Sequence, residues 1–438
     1  GSVDFGTLFE YDPANNDTLI NKHSFSPSEN GKKPTGTLVK APNGKLYGIT
    51  TEGGIYGSGT IFEVDPVTQN VVKKVDFNTS IGNKLKGGLT LASNGKLYGV
   101  TSNGGWADFG VIFEYDIATN TVTKLKDIYP SGFGRNPYAA LIQASNGKLY
   151  GTTLSGGSAG RGTIFSYDIA LNTLVSHVSF KGLIDGQYPQ AKLMQASNGK
   201  LYGTARAGGK YGKGTVFEFD IATDSIRVID HFTDSNGSTP YGGLTQAANG
   251  NLYGITNQGS ITGTGNKVGI VYQIDLIGDS IIPLHNFSRY TTGYGGYGEF
   301  LEASNGKLYV TSAYTGNGSR AATINEFDPV AGTFVAKMRL PSGGTFGSLI
   351  ELVSPNNASV EEKEITRSFL VYPNPATSTL TIDTKGERII EMKIFSISGQ
   401  MVESELNNKN TIDVSNFKSG LYIIQIQTQN GTALSRFI

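Results

Sequence analysis

Short runs of alternating apolar and polar residues, separated by glycines and Asn-Gly pairs, fill most of the chain. Residues 87–128 show the pattern clearly, with "GGLTLAS" (87–93), "KLYGVTS" (96–102), "VIFEYD" (111–116) and "TVTKLKDI" (121–128). Alternation with a period of two residues, bounded by turn residues, predicts β-strands. We name these strands a, b, c and d. Four antiparallel strands joined by short turns are typical of one blade of a β-propeller.

The four-strand pattern is a tandem repeat. Its Asn-Gly pairs begin at residues 43, 94, 146, 198, 249 and 305, so the steps are 51, 52, 52, 51 and 56 residues. Strand c occurs seven times, from "GTLFEYD" at Gly6 to "ATINEFD" at Ala322. A period of this length with strand-like content indicates blades or solenoid coils. Each Asn-Gly pair predicts a type I′ turn between strands a and b, whose two central residues need positive φ.

The two ends of the repeat region complement each other. The opening "GSVDFGTLFEYD" aligns with "GWADFGVIFEYD" (105–116), whereas "GSLIELVS" (347–354) matches strand a but has no "NGKLYG" after it. One blade would therefore combine strand a from the C-terminal side with strands c and d from the N-terminal side, which removes open sheet edges. We expect a stretch like "LYGxTxxGG" before Gly1 to supply strand b. Residues 1–354 are thus predicted to form a seven-bladed β-propeller.

The repeat stops after residue 354. Residues 355–368, "PNNASVEEKEITRS", are polar and acidic and are predicted to be a linker. Residues 369–438 again alternate, in "STLTID", "IIEMKIFS", "NTIDVS", "GLYIIQIQT" and "ALSRFI". This pattern predicts a small antiparallel β-sandwich of Ig-like type. The predicted fold class is all-β, a seven-bladed β-propeller followed by this sandwich.

Composition excludes several classes of function. Lys+Arg and Asp+Glu both number 36, and a formal net charge of zero argues against a nucleic-acid partner. The absence of cysteine excludes disulfides, thiolate zinc sites and cysteine nucleophiles. No run of 18 apolar residues is present, so no segment is predicted to cross a membrane as a helix. The 59 glycines recur with the repeat and therefore indicate turns.

Both regions resemble known bacterial families. The series "NGKLYGxT", "GG" and "GTIFEYD" over residues 1–354 resembles the GloVer-type tandem repeats of secreted proteins, which implies an exported, propeller-like protein without a defined activity. Residues 369–438 resemble the type A C-terminal sorting domain of the type IX secretion system of Bacteroidota. The residues that carry this second resemblance are Tyr372, Pro373, Asn374, Pro375, Gly399, Gly420, Leu421, Tyr422 and Arg436.

The sorting-domain resemblance implies a location and a partner. In that family the domain engages the outer-membrane translocon and the shuttle and attachment components of the machinery. It carries the protein across the outer membrane and is then normally cleaved, and the cargo is anchored on the cell surface or released.

No catalytic or metal-binding set stands out. The four histidines, His23, His177, His231 and His285, lie in strand d of different blades, too far apart to share a metal ion. No "HExxH", "GxSxG" or phosphate-binding loop occurs in a suitable context. We therefore predict no catalytic residue, no metal ligand and no cofactor. A glycosidase would need two nearby carboxylates, and the loops offer these candidates without singling out a pair: Glu29, Glu52, Asp108, Asp185, Asp234 and Glu299.

The b–c and d–a loops, which share one face of a propeller, are rich in aromatic residues and arginine. Such residues are favoured anchors at interfaces, and aromatic rings suit the apolar faces of sugars. Alternatively, the rings cover the edges of adjoining blades. The candidate ligand-binding residues are Tyr56, Trp106, Phe109, Arg135, Tyr138, Arg161, Tyr188, Tyr211, Tyr241, Arg289, Tyr290 and Tyr294.

The predicted function is that of a monomeric, exported cargo of type IX secretion whose propeller binds a glycan or a protein through this loop face. Two alternatives stay open. One is a polysaccharide-degrading enzyme, a lyase or a glycosidase, on a propeller scaffold, which would need two carboxylates or a Tyr/Arg set that converge at the central depression. The other is a structural or adhesion protein of the cell surface.

Overall fold

The computed structural model describes residues 5–13, 15, 17–262, 268–313, 322–340, 348–352, 370–372, 378–384, 388–396, 401–406, 410–417, 422–428 and 431–437. The chain divides into two compact units, Gly1–Glu351 and Leu352–Ile438. The predicted linker, residues 355–368, lies outside the described residues, and the domain boundaries drawn from the sequence stay predictions. No helix in the described part of the chain is long and apolar enough to span a membrane.

The first unit is built from antiparallel sheets that follow one another along the chain. A two-stranded sheet holds β1 (Thr7–Asp12) and β2 (Thr18–Ser24). The next two sheets hold β3 (Lys32–Lys40), β4 (Leu46–Glu52), β5 (Thr60–Val64) and β6 (Val71–Asp76), and then β7 (Asn83–Leu91), β8 (Leu97–Asn103), β9 (Val111–Asp116) and β10 (Thr121–Asp127). A four-residue helix, α1 (Pro130–Phe133), leads to the sheet of β11 (Arg135–Pro137), β12 (Ile142–Gln143), β13 (Leu149–Ser155), β14 (Thr163–Asp168) and β15 (Thr173–Ser179).

Three further sheets of four strands complete the first unit. They hold β16 (Met194–Gln195), β17 (Leu201–Ala205), β18 (Thr215–Asp220) and β19 (Ser225–His231); β20 (Thr245–Gln246), β21 (Leu252–Ile255), β22 (Ile270–Asp275) and β23 (Ser280–Asn286); and β24 (Leu301–Glu302), β25 (Leu308–Thr311), β26 (Thr323–Asp328) and β27 (Thr333–Arg339). Within each of these sheets neighbouring strands pair in chain order, as in a propeller blade. The predicted all-β, propeller-like fold is confirmed, whereas the count of seven blades stays a prediction.

The hairpin between strands a and b is not the predicted type I′ turn. In its six copies the glycine has positive φ, 75° to 85°, but the asparagine does not. In the copy at residues 92–96, Gly95 N donates to Ala92 O (2.9 Å) and Ala92 N donates to Lys96 O (3.0 Å), which makes a three-residue loop with a bulge glycine. The asparagine acts through its side chain: Asn94 Oδ1 accepts from Lys96 N, and Nδ2 donates to Tyr98 OH (2.8 Å).

The core of the first unit lies between adjacent sheets. Tyr98 and Ile112 of sheet β7–β10 form one buried cluster with Leu141, Leu149 and Phe165 of the next sheet. Strands b and c supply most of this core because they are the two middle strands of each sheet and are covered on both faces. In β8, for example, all residues but the last are buried. Each fully buried side chain of this size contributes about 1.5–3 kcal/mol.

The two-stranded sheet contacts both ends of the row of sheets. Phe9 and Tyr11 of β1 pack in one cluster with Tyr309 of β25 and with Leu349. On the other side, Leu8 and Ile350 pack in a cluster with Phe25, Leu46 and Phe62. Glu351 accepts from the backbone N–H of Ser304 (2.9 Å) and from its hydroxyl (2.6 Å). Residues 348–351 and the β1–β2 sheet thus lie between the first and the last four-stranded sheet, as closure into a ring requires.

The c–d turns predict a loss of stability in acid. Six turn aspartates accept hydrogen bonds from backbone N–H groups of their own turns, which lower the carboxyl pKa below its ordinary value of 3.8: Asp65, Asp116, Asp168, Asp220, Asp275 and Asp328. For Asp65 the Lys45 ammonium is the larger cause. A carboxyl whose folded pKa is depressed contributes stability above its unfolded pKa and loses it as pH falls through the folded value. We therefore expect the melting temperature to hold steady above about pH 5 and to fall below about pH 4.

Thermal unfolding between about pH 2.5 and pH 6 measures this effect. Asp116→Asn removes one titrating group from the series and should make the acid loss smaller. A melting temperature independent of pH over this range would contradict the assignment.

The second unit consists of two sheets. One pairs β28 (Leu370–Tyr372), β29 (Thr379–Asp383) and β32 (Thr411–Asp413), and the other pairs β31 (Met401–Leu406), β30 (Ile389–Ser396), β33 (Tyr422–Thr428) and β34 (Gly431–Phe437). Leu380 and Ile412 of the first sheet share a buried cluster with Met392, Ile394 and Ile424 of the second, as in a sandwich. The sequence analysis did not identify β28 and β31.

Candidate functional site

A cavity of about 330 Å³ lies where the inner strands of the first unit converge. Its lining comes from equivalent positions of the repeat, in a four-residue motif of strand a such as "KGGL" (86–89). The second residue of this motif is small and the fourth is Leu or Phe. The first position supplies Lys86, Tyr138, Gln190, Tyr241 and Tyr297; the third supplies Thr37, Ala140, Lys192, Gly243, Glu299 and Ser348. Since strand a runs away from the d–a loop, the first-position residues lie toward the loop face. We call this cavity the central channel.

Small residues let the inner strands approach one another closely. A Cβ atom at Gly87 would lie only 2.1 Å from the carbonyl carbon of Ala139 in the next sheet. Because the second position of the motif has no room for a side chain, the first and third positions provide the side chains of the channel wall. This arrangement brings residues about 50 positions apart in the sequence into one cavity.

The central channel carries more positive than negative side chains. Lys40, Lys86 and Lys192 line it, and Glu299 is the single carboxylate among its described lining residues. The Lys86 ammonium lies 5.6 Å from the centre of the Tyr138 ring. Partial burial lowers the pKa of Lys86, and the neighbouring positive charges of Lys33 and Lys84 lower it further.

A row of side chains in contact with one another leads to the channel from the loop face. The Arg206 guanidinium lies between two aromatic rings, 5.6 Å from the centre of Tyr188 and 5.4 Å from that of Tyr241. It also donates a long hydrogen bond to Tyr241 OH (3.4 Å). The rings of Tyr241 and Tyr297 are 4.9 Å apart. We call these four residues the arginine–tyrosine row; its inner members, Tyr241 and Tyr297, line the central channel.

The sequence analysis found part of this site. Tyr138, Tyr188 and Tyr241 were among the candidate residues, whereas Arg206 was not. A usable signal existed, because Arg206 in "GTARAGG" takes the place of Thr51 in "GITTEGG" and of the equivalent Ser and Leu in the next two repeats. A departure from the repeat consensus would have marked it.

The other candidate residues are not among the residues that line the channel. They form separate groups on other loops: the exposed Trp106 beside Tyr129 (5.9 Å between ring centres), Arg135 over Phe109 (5.8 Å), Arg289 over Tyr290 (5.8 Å) with a donated bond to Tyr294 OH (3.5 Å), and Tyr211 under Lys210 (5.2 Å). Tyr56 is exposed, and Arg161 packs over the backbone of Gly182. The predicted loop-face set is thus dispersed.

Most of the candidate carboxylates already have partners, in their own loop or in a neighbouring segment. Glu52 pairs with Lys32 (3.1 Å) and Lys33 (2.5 Å), Asp108 accepts from Gly104 N (2.6 Å), Asp185 accepts from Lys181 N (2.5 Å), and Asp234 pairs with Lys213 (3.1 Å). The Lys33 ammonium lowers the pKa of Glu52. Only Glu299 reaches the channel, so the described lining residues contain no carboxylate pair of the kind that glycosidases use.

One hydrogen-bonded series has the connectivity of a hydrolase triad. Ser166 Oγ lies 2.8 Å from His177 Nε2, and His177 Nδ1 lies 2.6 Å from Asp224 Oδ1. Ser166, however, is 1% exposed on the paired strand β14, so a substrate cannot reach its hydroxyl. In the next sheet Glu218 occupies the equivalent place. The series therefore clamps one sheet to the next through His177.

No metal centre is formed by the described residues, since no group of three His, Cys, Asp or Glu side chains converges there. The four histidines lie in four different sheets, as expected from their positions in strand d.

The sorting-signal residues are only partly described. Tyr372 lies in β28 and is half exposed, and Tyr422 begins β33 with its ring 5.2 Å from that of Phe417. Arg436 lies in β34, and only its backbone is described. The remaining signal residues lie outside the described residues: Pro373, Asn374, Pro375, Gly399, Gly420 and Leu421.

Comparison with curated proteins gives a short match. An endo-acting ulvan lyase of Formosa agariphila is 31% identical over 87 residues, which is 19% of this chain and 17% of the lyase. The chain therefore spans less than a fifth of the length of that relative.

Two solved structures are similar to the chain at low sequence identity. A fungal alcohol oxidase of the AA5 family, solved with copper, has a TM-score of 0.50 at 14% identity, over 94% of this chain and 97% of that one. PorZ, an essential surface component of the type IX secretion system of Porphyromonas gingivalis, has a TM-score of 0.48 at 13% identity, over 96% of this chain and 61% of that one. At these identities the oxidase shows the fold alone.

Two sequence families match the chain directly. The Gloeobacter/Verrucomicrobia repeat matches residues 1–142 and 129–266, together more than half of the 438 residues, and the secretion system C-terminal sorting domain matches residues 370–438. The chain belongs to the Gloeobacter/Verrucomicrobia repeat family, and its type IX sorting domain directs it across the outer membrane to the cell surface or the extracellular space.

Proposed function

We propose that the first unit is a glycan-binding module that works at the cell surface or outside the cell. The arginine–tyrosine row at the mouth of the central channel is the observation that carries this proposal. Tyrosine rings stack on the apolar faces of sugars, and a guanidinium held between two rings presents its N–H groups in a fixed plane to hydroxyl or acidic groups.

The size of the channel favours a saccharide over a protein partner. A cavity of about 330 Å³ is at the lower end of the range for small-molecule sites, about 300–1,000 Å³. A stable protein partner would instead bury about 800 Å² on each side of a broad surface, and the exposed loop aromatics are dispersed. The polysaccharide substrate named for the short lyase match is in keeping with a glycan ligand. The monomeric state stays a prediction.

We expect the first unit to bind its glycan without cleaving it. The described lining offers Glu299 as its single carboxylate, whereas most glycosidases use two. The arginine–tyrosine row keeps the lyase alternative open, and the products distinguish it from binding. Bound glycan recovered after long incubation with the protein should show no new chain ends. New reducing or unsaturated ends that depend on the protein would support the enzyme alternative.

Substitution of the row tests the site. We expect Arg206→Ala and Tyr241→Ala in the full-length chain each to cost about 2 kcal/mol of binding free energy, about a 30-fold weaker affinity for the best glycan of an array. Tyr211→Ala is the matched control, because Tyr211 is an exposed loop tyrosine that contacts Lys210 and does not line the channel. Calorimetric titration measures all of these proteins. Equal affinities in the unsubstituted chain and the three variants would rule out this site.

A further inference from the structure

We infer that the central channel selects glycans carrying an anionic group, a carboxylate or a sulfate ester, and that Lys86 and Lys192 bind that group. This inference rests on the proposed function and adds the charge of the ligand to it.

Neither lysine has a counter-ion within the described part of the chain. Lys86 and Lys192 both line the channel, and no described carboxylate lies within ion-pair distance of either ammonium. The lysines of the a–b turns, on the opposite face, are in a different situation. Lys96, for example, pairs with Glu114 (2.6 Å) and Asp116 (3.2 Å). The turn lysines of the repeat are therefore neutralised by carboxylates, whereas Lys86 and Lys192 stay available to a ligand.

The surroundings of Lys86 make an anion favourable there. Burial beside the Tyr138 ring lowers the pKa of its ammonium, and repulsion from Lys33 and Lys84 lowers it further, against a weaker attraction to Glu52. An ammonium that has lost water without gaining a carboxylate within ion-pair distance is held at a cost in free energy. An anionic ligand would remove that cost and form a charge-assisted hydrogen bond.

The positions around the ring bring both lysines and the inner members of the row to one channel. Lys86 and Lys192 come from sheet β7–β10 and sheet β16–β19, and the small Ala140 of the sheet between them leaves room for a ligand. The arginine–tyrosine row and Glu299 belong to sheet β16–β19 and the two sheets after it. A sugar ring stacked on Tyr241 and Tyr297 would thus have both lysines in the same channel as partners for its anionic substituent.

The test uses the full-length chain and three polymers: dextran as the neutral probe, polygalacturonate for carboxylates and dextran sulfate for sulfate esters. We expect one or both anionic polymers to bind and dextran to bind much more weakly. Lys86→Met and Lys192→Met should each weaken anionic binding about tenfold. Added salt should weaken it as well, since screening acts on exposed charge pairs.

Lys126→Met is the matched control. Lys126 lies on the outer strand β10, so its loss changes the net charge equally but leaves the channel unchanged. Anionic binding that falls as much in this variant as in Lys86→Met would overturn the inference, because it would reflect net charge alone. Equal binding of dextran, abolished by Tyr241→Ala, would overturn the inference but leave the proposed function standing. No binding of any glycan, here or on an array, would overturn both.

Discussion

Ile424→Asp is expected to abolish export and to leave the protein within the periplasm. Ile424 is fully buried in β33, in the cluster that both sheets of the second unit share. An unpaired carboxylate in such a core costs several kcal/mol, which exceeds what a unit of this size can lose and remain folded. The sorting domain then has no folded surface to present to the type IX machinery.

Cell fractionation with an antibody against the first unit measures this outcome in a host that has type IX secretion. Val402→Asp is the matched control, because Val402 lies on β31 and is 43% exposed. It should be exported normally. Unchanged export of Ile424→Asp would mean that the machinery recognises a linear signal and not the folded sandwich.

Gly99→Val is expected to destabilise the first unit strongly without adding a charge. A Cβ atom at Gly99 would lie 2.4 Å from the tip of the Phe113 ring, and Phe113 is itself buried between sheets. Overpacking of such a core costs about 3 kcal/mol. The glycine of "LYG" thus recurs because the phenylalanine of strand c occupies the space of its missing side chain.

Urea denaturation measures the loss, because the midpoint and slope of the transition give the free energy of unfolding. The control is Gly95→Ala in the adjacent turn, where a Cβ atom meets nothing within 4 Å but φ is +79°. We expect this variant to lose about 1 kcal/mol, the cost of a left-handed backbone for alanine. If the two variants lose the same free energy, the ring of Phe113 moves aside and the close packing is not limiting.

Much of the architecture could be predicted from the sequence because its signals are local. Period-two alternation and turn glycines act within a few residues, so the strand content, the repeat length and the position of strand c followed from the pattern. The same holds for the sorting domain, whose motifs are short stretches that follow one another along residues 372–436. The turn type was wrong because an Asn-Gly pair suits two hairpin geometries. The Asn94–Tyr98 hydrogen bond favours the longer one.

The candidate site could be predicted only in part. The aromatic-rich loops were predicted as a binding surface, which stays a prediction, and sequence alone treated Trp106 and Tyr241 as equivalent. The structure separates them: Trp106 stands exposed beside Tyr129, whereas Tyr241 joins Arg206 and Tyr297 at the channel. Arg206 was missed because it does not recur in the repeat and is marked only by its departure from the consensus.

The sequence by itself determined the repeat, the strands and the export of this protein to the cell surface or beyond, since each depends on residues that are neighbours along the chain. The tertiary structure alone decided which side chains meet. Lys86, Tyr138, Lys192 and Tyr297 occur in four different repeats and line one cavity only because the sheets are arranged around a common centre with small residues between them. Contacts between residues some 50 to 200 positions apart depend on that arrangement, and no local pattern encodes it.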